Sequence, residues 1–482
     1  MLQMTKPESL LQVFRNGIDP ADPVAALQGG LIGEGACISG PFGEKPLVYA
    51  DYVASGRALL QVEDFVLKQV LPYYANSHTE ASFCGGFMTR LRREARALIA
   101  DCCGAGPEHA VIFAGSGATA GINRLVSLLG VKAAIKSGSG ARVILGPYEH
   151  HSNILPWRES GAEVVEIPES PDGGPDLRAL AALLDKPAGS RLTICAFSAA
   201  SNVTGIYSDV EAITRQVKEA GAVMVWDFAG AGPYMPIDMS VGIDAIVVSP
   251  HKFVGGPGAS GILVVRRDAV DAVKPTWPGG GTVTFVSPRS HHYTDSMEAR
   301  EEAGTPNVIG DIRAGLAFLI KDVIGTDLMA KRNAWLTQRA MRKLQSAERI
   351  ELLGSPTAPR LPIFSMRVRD GNGGYVHHQL VTRMLSDRFG IQARGGCACA
   401  GPYAHRLLDI EPDQSEQIFE KIQAGIETDK PGFVRFNLSV LMSDKKVDYI
   451  LNAIGQLAGD AASYASLYQV DRKRAIFSPK AA

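Results

Sequence analysis

Short apolar runs alternate with amphipathic stretches along the middle of the chain. From residue 110 to residue 265, seven runs rich in β-branched residues are too short for helices and predict buried strands. These predicted strands are Ala110–Ala114, Arg142–Leu145, Ala162–Ile167, Leu192–Phe197, Val223–Trp226, Ala245–Val248 and Ile262–Val265. Helical patterns separate most of them, for example Ile122–Leu129, Leu177–Leu184 and Val210–Ala220. This alternation predicts a large, mostly parallel seven-stranded sheet covered by helices on both faces, an α/β fold.

The region before this alternation is less regular. Gln61–Val70 and Arg90–Asp101 have helical periodicity, and the polar, glycine-rich stretch Tyr73–Met88 predicts a loop between them. The segment Pro46–Tyr52 is expected to form a short strand or an extended connection into the folded body. Residues 1–45, rich in glycine and proline, are expected to form an extension that packs on the surface of the body.

A second α/β pattern follows residue 308 and predicts a smaller carboxyl-terminal domain. Its predicted elements are the helices Val308–Ile324, Asp327–Gln345, Val376–Arg388, Glu416–Ile426 and Lys446–Leu457, with the strands Ile363–Val368 and Phe433–Leu438. The last twenty or so residues are expected to form a peripheral helix and a loose tail. We therefore predict an extension over 1–45, a large domain over 46–320 and a small domain over 321–482.

Composition narrows the class of protein. A chain of 482 residues, 46% hydrophobic, is long enough for two domains with their own cores. A net charge of −1 gives no electrostatic case for binding nucleic acid or an anionic membrane. No apolar run approaches the roughly 18 residues of a membrane span, and the amino terminus lacks a secretion signal. Seven scattered cysteines predict reduced thiols and a cytoplasmic location.

Lys252 ends a short segment, Ser249-Pro250-His251-Lys252, that directly follows the predicted strand Ala245–Val248. A lysine held near buried surroundings can have a lowered pKa, which suits nucleophilic or base chemistry. The alternative is an ordinary solvated loop lysine. Polar or small residues also follow four other predicted strands, at residues 115–119, 147–153, 198–205 and at Asp227. In sheets of this kind ligands bind beyond the carboxyl ends of the strands, so these residues are expected to share one pocket.

The residues at these strand ends suit pyridoxal phosphate. Lys252 would form a Schiff base with the cofactor aldehyde, Asp227 would keep the ring nitrogen protonated, and His150 would stack on the ring face. Backbone amides at the start of a helix form an anion site. The predicted phosphate ligands are Gly117, Ala118, Thr119, Ser249 and His251. Alternatives for single residues are a tight turn, a helix cap and polar loop residues.

Eight motifs extend this interpretation to a family. They are GSGATAGIN, EHHSNILPW, SNVTG, WDFAG, SPHKFVGGPGASGIL, EAGTPN, RGGCACAGPYAHRLL and GFVRFNLSVLMSDKKVDYI. The chain resembles the class V, fold-type I pyridoxal phosphate enzymes, and among them the group II cysteine desulfurases. Its carboxyl-terminal motifs are similar to those of the desulfurase domain of molybdenum cofactor sulfurases.

The resemblance implies roles for four further residues. Cys399 matches the cysteine that forms a persulfide, and Arg435 matches the arginine that binds the substrate carboxylate. Asn202 matches an asparagine near the ring hydroxyl and the substrate. Thr305 matches a residue that reaches the cofactor phosphate of a neighbouring subunit, which implies a homodimer. The implied reaction takes sulfur from L-cysteine onto Cys399, releases L-alanine, and passes the sulfur to an acceptor protein. No metal is expected, because C-x-C without further ligands is poor for zinc.

The sequence also departs from the family pattern. Gly230 stands where a glutamine or histidine is usual, Pro250 replaces a glycine, and thirty-five residues separate Cys399 from Arg435. Polar residues that could line a different substrate pocket are Arg57, Tyr73, His78, His291 and His292. Two alternatives therefore stay open: another reaction on the same cofactor (C–S lyase, epimerase or aminotransferase), and a non-catalytic binding or scaffold protein.

Overall fold

The computed structural model describes residues 9–77, 80–185 and 191–480, so His78 lies outside the described residues. The amino-terminal elements are α1 (Leu10–Asn16), α2 (Pro23–Gln28), β1 (Cys37–Gly40), β2 (Gly43–Pro46) and β3 (Val48–Tyr49). The side chains of Ser9 and Asp22 cap the two helices by accepting backbone N–H groups. Leu11, Phe14 and Leu27 are buried, which fixes the extension to the body.

Two helices lead to the large sheet: α3 (Leu60–Phe65), which continues as a π-helical turn over Val66–Val70, and α4 (Phe83–Cys102). The predicted loop Tyr73–Met88 is wrong in its last part, because α4 already begins at Phe83. The Ser82 hydroxyl caps this helix by accepting from Gly85 N at 3.2 Å. Gly85 and Met88 are buried on the same face as the rest of α4, so tertiary packing overrides the low helix propensity of the glycines.

The seven predicted strands are confirmed, each within one residue at both ends. In chain order the elements are β4 (His109–Gly115), α5 (Gly117–Leu128), α6 (Val131–Lys136), β5 (Ala141–Leu145), α7 (Leu155–Arg158), β6 (Glu163–Glu166), α8 (Leu177–Leu184), β7 (Leu192–Ser198), α9 (Val210–Glu219), β8 (Val223–Asp227), β9 (Ala245–Val248) and β10 (Gly261–Arg266). The strand order is β4-β10-β9-β8-β7-β5-β6. The strands from β5 to β9 run parallel, and β10 runs antiparallel to both of its neighbours. Two apolar cores, one on each face, cover this sheet.

Among the described residues, the helical stretch Gly117–Lys136 is long and apolar enough to cross a membrane by length and composition. More than half of it is buried inside the molecule, and Gly130, with φ of 71°, separates α5 from α6. Ile122 and Leu125 of α5 are fully buried in the core that covers one face of the sheet. Core packing therefore accounts for the apolar character of this stretch.

A hairpin and three helices connect the two domains. They are β11 (Val283–Val286), β12 (His291–Tyr293), α10 (Met297–Glu301), α11 (Val308–Ile324) and α12 (Thr326–Gln345). Phe285 and Val286 are exposed on the hairpin, as are His291 and His292.

The small domain is built on a second sheet. Its elements are β13 (Ile350–Leu352), β14 (Ile363–Arg369), β15 (Tyr375–Val376), α13 (His378–Phe389), β16 (Ile391–Gln392), β17 (Arg394–Gly396), α14 (Gly401–Leu407), α15 (Pro412–Gln423), β18 (Phe433–Asn437), α16 (Asp444–Ala465), β19 (Tyr468–Asp471) and β20 (Ile476–Pro479). The main strand order is β13-β14-β18-β17. The helices α14 and α15 fill most of the long spacing between Cys399 and Arg435.

The carboxyl-terminal tail is not loose, so that prediction is wrong. Helix α16 runs to Ala465, and β19 and β20 form an antiparallel hairpin behind it. Buried Tyr468 anchors the hairpin by donating its hydroxyl to Asp387 Oδ2 at 3.2 Å. Residues 81 positions apart make this contact, so the periodicity of the sequence could not predict the hairpin.

The domain boundaries at residues 46 and 321 stay predictions. Val48, Ala50 and Tyr52 pack in the core of the small domain, and β3 pairs in parallel with β16. The segment after the extension therefore joins the start of the chain to the small domain. This segment brings Asp51 into contact with Arg394 and Arg435.

Candidate active site

Lys252 and Asp227 lie at the ends of neighbouring strands. Asp227 is the last residue of β8 and is only 4% exposed, and it pairs in register with Val247 of β9. Lys252 ends the short turn Pro250–Lys252 that follows β9. Burial lowers the pKa of the Lys252 amine; nearby Arg435 lowers it further, whereas Asp227 and Cys399 oppose this shift. The lysine, the aspartate, the arginine and the cysteine predicted from sequence therefore share one electrostatic environment.

The Asp227 carboxyl is held in place by its own turn. Its Oδ1 accepts from Ala229 N at 2.8 Å. Burial raises the pKa of Asp227, while the Ala229 hydrogen bond and the Lys252 charge act in the opposite direction. A cationic group placed beside this carboxyl would therefore replace solvation that burial has removed.

The predicted phosphate site is a narrow cradle at the start of α5. Gly117 has φ of 67°, and a Cβ there would lie 2.9 Å from Ser249 Oγ and 3.0 Å from His251 Cε1. Ala118 N donates to Ser249 Oγ at 3.0 Å. Thr119 instead lies exposed, with its hydroxyl 2.7 Å from Ser152 Oγ. The structure thus brings Gly117, Ala118, Ser249 and His251 together, with Thr119 at the rim.

His150 is fixed as a neutral imidazole. Its Nδ1 accepts from Ser152 N at 3.1 Å, so the ring proton is on Nε2. Burial lowers the pKa of His150 to about 4, and the positive charge of Lys252 contributes to this shift. The imidazole is therefore uncharged at neutral pH.

Glu149, beside it, was missed in the sequence. The carboxyl is 3% exposed and accepts three hydrogen bonds: from Ser198 N at 2.8 Å, from Ser198 Oγ at 2.8 Å and from Asn153 Nδ2 at 2.5 Å. Burial raises the pKa of Glu149 to about 8 even though these hydrogen bonds lower it. Because Ser198 pairs in register with Asp227, Glu149 joins the loop of His150 to the strand beside Asp227. Glu149 directly precedes His150 and His151, and nothing in this stretch of sequence indicates that its carboxyl is buried.

Cys399 lies on a tight turn that is held by two loops of the large domain. Ala398 and Cys399 have φ of 53° and 55°, the left-handed region. His151 N donates to Cys399 O at 2.8 Å, and Asn202 Nδ2 donates to Ala398 O at 2.8 Å. The Cys399 side chain is exposed, and Cys397 is half-buried. The backbone position of the cysteine is therefore defined by the loops that carry His150 and Asn202.

Arg435 is buried and already paired. Its Nη2 lies 2.9 Å from Asp51 Oδ1, and its Nη1 donates to Asn202 O at 3.1 Å. Its Nε has no partner, and neither has Asn202 Oδ1. Arg394, which is half exposed, also pairs with Asp51 at 2.9 Å. Asp51 was missed in the sequence, although it follows an apolar run as Asp227 does.

The remaining candidates lie elsewhere or beside the site. Thr305 is exposed on the loop between α10 and α11, and no hydrogen bond between described residues joins it to the site. Arg57 donates to Ile32 O in the amino-terminal extension, and Tyr73 packs on Phe83. His291 and His292 lie on the exposed hairpin described above. Gly230 lies beside Asn202, where a Cβ would be 3.6 Å from the Asn202 Cβ.

These residues fit pyridoxal phosphate. The cradle at Gly117 leaves no room for a side chain, Asn202 offers an unpartnered buried oxygen, and the charges of Lys252 and Asp227 each act on the pKa of the other. Among the described residues, no cluster of three or more His, Cys, Asp or Glu side chains could hold a metal ion.

Comparison with known proteins gives the family and the fold. The sequence model of the family "Aminotransferase class-V" matches residues 48–450. The chain is 30% identical over 363 residues to a cysteine desulfurase of Enterobacter sp. (strain 638), covering 74% of this chain and 85% of that protein. It is 31% identical over 365 residues to one from Pectobacterium atrosepticum, with the same coverage. The solved structure of a cysteine desulfurase from Thermococcus onnurineus NA1 superposes with a TM-score of 0.71 at 25% identity, over 86% of this chain and 95% of that one.

Proposed function

The chain belongs to the class V aminotransferase family of pyridoxal phosphate enzymes, and from that membership we propose that it is a cysteine desulfurase. It takes sulfur from L-cysteine as a persulfide on Cys399 and releases L-alanine. The observation that carries the proposal is the position of Cys399. Its turn is bound through His151 and Asn202 to the loops around Lys252 and Asp227.

The cofactor, when bound, supplies an electron sink for the bonds that break on the substrate. Lys252 holds it and then, as a free amine with a lowered pKa, removes the Cα proton of the substrate. With the cofactor bound, Asp227 would keep the ring nitrogen protonated from its buried position. His150, neutral at neutral pH, would lie against the ring face.

The cradle and Asn202 position the cofactor. Backbone amides at the start of α5, with Ser249 and His251, surround the space for the phosphate. Asn202 Oδ1 has no partner and would be able to accept a hydrogen bond from the bound cofactor or substrate.

Two arginines and one aspartate determine the net charge at the proposed binding position of the substrate carboxylate. Arg435 and Arg394 share Asp51, which leaves one net positive charge. Of the nitrogen atoms in the Arg435 guanidinium, Nε is the one without a hydrogen-bond partner among the described residues. A carboxylate bound there would complete the hydrogen bonds of a buried guanidinium.

Sulfur transfer then occurs at Cys399. Its thiolate attacks the substrate Sγ, so an S–S bond forms and the substrate Cβ–Sγ bond breaks. The electron pair of the broken bond takes up a proton at Cβ, and Lys252 returns a proton to Cα, which yields alanine. Cysteine plus the Cys399 thiol thus gives alanine plus the Cys399 persulfide, with atoms and electrons in balance.

Three observations support further parts of the proposal. Thr305 is free to reach a second copy of the chain, which makes a homodimer the expected state. Exposed Cys399 is accessible to a sulfur-acceptor protein. The seven cysteines are all free, in keeping with a cytoplasmic location.

Product analysis tests the proposed function. The holoenzyme is incubated with L-cysteine and a thiol reductant, and the expected products are alanine and sulfide in equal amounts. Pyruvate and ammonia in place of alanine would identify a C–S lyase and overturn the proposal. A protein without bound cofactor and without turnover would also overturn it.

A further inference from the structure

The turn that carries Cys399 has a backbone conformation that its own residues do not favour. Ala400 N donates to Cys397 O at 3.1 Å, which closes the turn. The two residues inside it, Ala398 and Cys399, both have left-handed φ, which costs free energy for residues other than glycine. Contacts from outside the turn must therefore hold it in this shape.

His151 supplies two of these contacts. Its backbone N–H donates to Cys399 O at 2.8 Å, and its ring Nε2 accepts from Gly401 N at 2.9 Å. One residue thus binds the chain on both sides of Ala400. The fit is close, since a Cβ at Gly401 would lie 3.0 Å from His151 Nε2. Because the backbone N–H is present whatever the side chain, substitution of His151 removes the imidazole contact alone.

The imidazole of His151 is in the form that this hydrogen bond requires. Nε2 carries no proton when it accepts from Gly401 N, so the ring proton is on Nδ1, the opposite tautomer to that of His150. Burial lowers the pKa of His151, and the positive charge of Arg158 lowers it further. The ring is therefore a neutral acceptor at neutral pH.

Helix α14, which follows the turn, is fixed to the loop that carries His151. Tyr403 of α14 is only 1% exposed, and its ring packs edge-on against Tyr148 with the centroids 4.9 Å apart. Tyr148 precedes His151 in the same loop and donates its hydroxyl to Glu169 Oε1 at 2.7 Å. Buried packing thus anchors the helix, and the His151 imidazole joins the first residue of that helix to the same loop.

Sulfur transfer needs the Cys399 thiolate at a defined distance from the substrate Sγ, and a displacement of about 1 Å can cost about a hundredfold in rate. Resting on the desulfurase function proposed above, we propose that the His151 imidazole is a positioning residue for sulfur transfer. It acts through Gly401 on the turn that holds Cys399. It takes no part in the earlier steps, in which Lys252 removes the Cα proton.

Two variants with side chains of equal length isolate the imidazole contact. His151→Gln keeps a strong acceptor near the position of Nε2, whereas His151→Met has a similar shape without one. In the holoenzyme we expect His151→Met to lower kcat for alanine release from L-cysteine by about 10- to 100-fold. The value of kcat/KM should fall by a similar factor, as for an interaction that matters in the chemical step. His151→Gln should recover most of the loss.

Exchange of the Cα hydrogen of L-alanine with deuterated water gives a measurement that needs no sulfur transfer. Lys252 moves this proton, so the unmodified holoenzyme and both variants should exchange it at the same rate. A general structural defect in His151→Met would instead slow this exchange and alanine release together.

Backbone hydrogen exchange reports on the turn itself. The Gly401 N–H should exchange about tenfold or more faster in His151→Met than in the unmodified protein or in His151→Gln, because it has lost its acceptor. Mass spectrometry of a peptide that covers residues 399–404 measures this without any desulfurase activity. Absence of alanine release from L-cysteine by the unmodified holoenzyme would overturn the proposed function, whereas this exchange pattern would still establish the His151 contact.

Unchanged kcat in His151→Met, or an equal loss in His151→Gln, would overturn the positioning role. So would L-alanine exchange that falls in step with turnover, or a turn whose backbone exchange is the same in all three proteins. If His151→Met does not fold, Gly401→Ala probes the same contact from the other side, because its Cβ would press on the imidazole. It should reproduce the pattern expected for His151→Met, and a normal rate of alanine release by Gly401→Ala would count against the proposal.

Discussion

Asp51 Oδ1 lies 2.9 Å from Arg435 Nη2, and this contact joins residues 384 positions apart in the chain. Asp51 comes from the segment after the amino-terminal extension, and Arg435 comes from the central part of the small-domain sheet. Because Asp51 also pairs with Arg394, one carboxylate balances two cations at the predicted substrate site. The pair therefore sets both the local stability and the charge available to a substrate.

Asp51→Asn should separate these two effects. Losing the buried carboxylate leaves Arg435 without a counter-ion, which costs about 3–5 kcal/mol of unfolding free energy. In the folded fraction the net charge at the site rises by one, so KM for L-cysteine should fall. Denaturant unfolding and steady-state kinetics measure both quantities.

Asp448→Asn is the matched control for Asp51→Asn. The Arg339–Asp448 ion pair also joins an arginine to an aspartate but is partly exposed, so its loss should cost under about 1 kcal/mol. Equal losses for the two variants, or a raised KM in Asp51→Asn, would contradict this account of the site.

Lys252→Ala should abolish turnover and the visible absorbance of the bound cofactor. The lysine is the amine that the cradle and Asp227 surround, and no other residue can replace its bond to the cofactor. Absorption spectra after dialysis and an alanine assay check this. Lys274→Ala, at an exposed position, should keep both properties. A coloured, dialysed Lys252→Ala protein would disprove the assigned role.

The stability of the protein should depend on pH through Glu149. Its pKa is raised to about 8 in the folded state, against about 4.3 for an unperturbed glutamate. The folded state holds a proton that the unfolded chain has lost, so this contribution to stability is full below about pH 4 and is lost as the pH rises through about 8.

Glu149→Gln removes that titration. The free energy of unfolding of the unmodified protein, relative to Glu149→Gln, should fall between pH 5 and pH 9, by at most about 1.4 kcal/mol per pH unit. Denaturant unfolding at several pH values measures it. Glu159→Gln, which changes an exposed glutamate at the end of α7, should show no such difference. Parallel curves for the protein and Glu149→Gln would refute the assignment.

Thr305→Ala should weaken cofactor binding without affecting folding. Thr305 is exposed in the single chain, and in the proposed homodimer it reaches the cofactor phosphate of the second copy, so its loss lowers cofactor affinity there. Absorbance titration of the apoprotein with pyridoxal phosphate gives the affinity, and sedimentation gives the oligomeric state. Thr284→Ala on the exposed hairpin serves as control. A monomer with unchanged affinity would rule out the shared site.

Local patterns were enough to predict the large sheet and to place Lys252 and Asp227 at one edge of it. Asp227 ends one buried strand and Lys252 follows its neighbour by four residues, and the edge of a parallel sheet brings such residues together. The start of α4 at Phe83 and the hairpin β19–β20 could not, because packing and the Tyr468–Asp387 contact decide them. The roles of Asp51 and Glu149 depend on partners that are distant in sequence, such as Arg435 and Ser198. Periodicity carries no information on such pairs.

Peptide mapping of the sulfur-loaded protein tests the central claim most directly. The holoenzyme is treated with sulfur-labelled L-cysteine, digested without reductant and analysed by mass spectrometry, with Cys397→Ser and Cys399→Ser in parallel. We predict one labelled sulfur on the peptide that contains Cys399, unchanged in Cys397→Ser and absent in Cys399→Ser. Label that persists in Cys399→Ser, or alanine release at the full rate by that variant, would contradict the proposed role of Cys399.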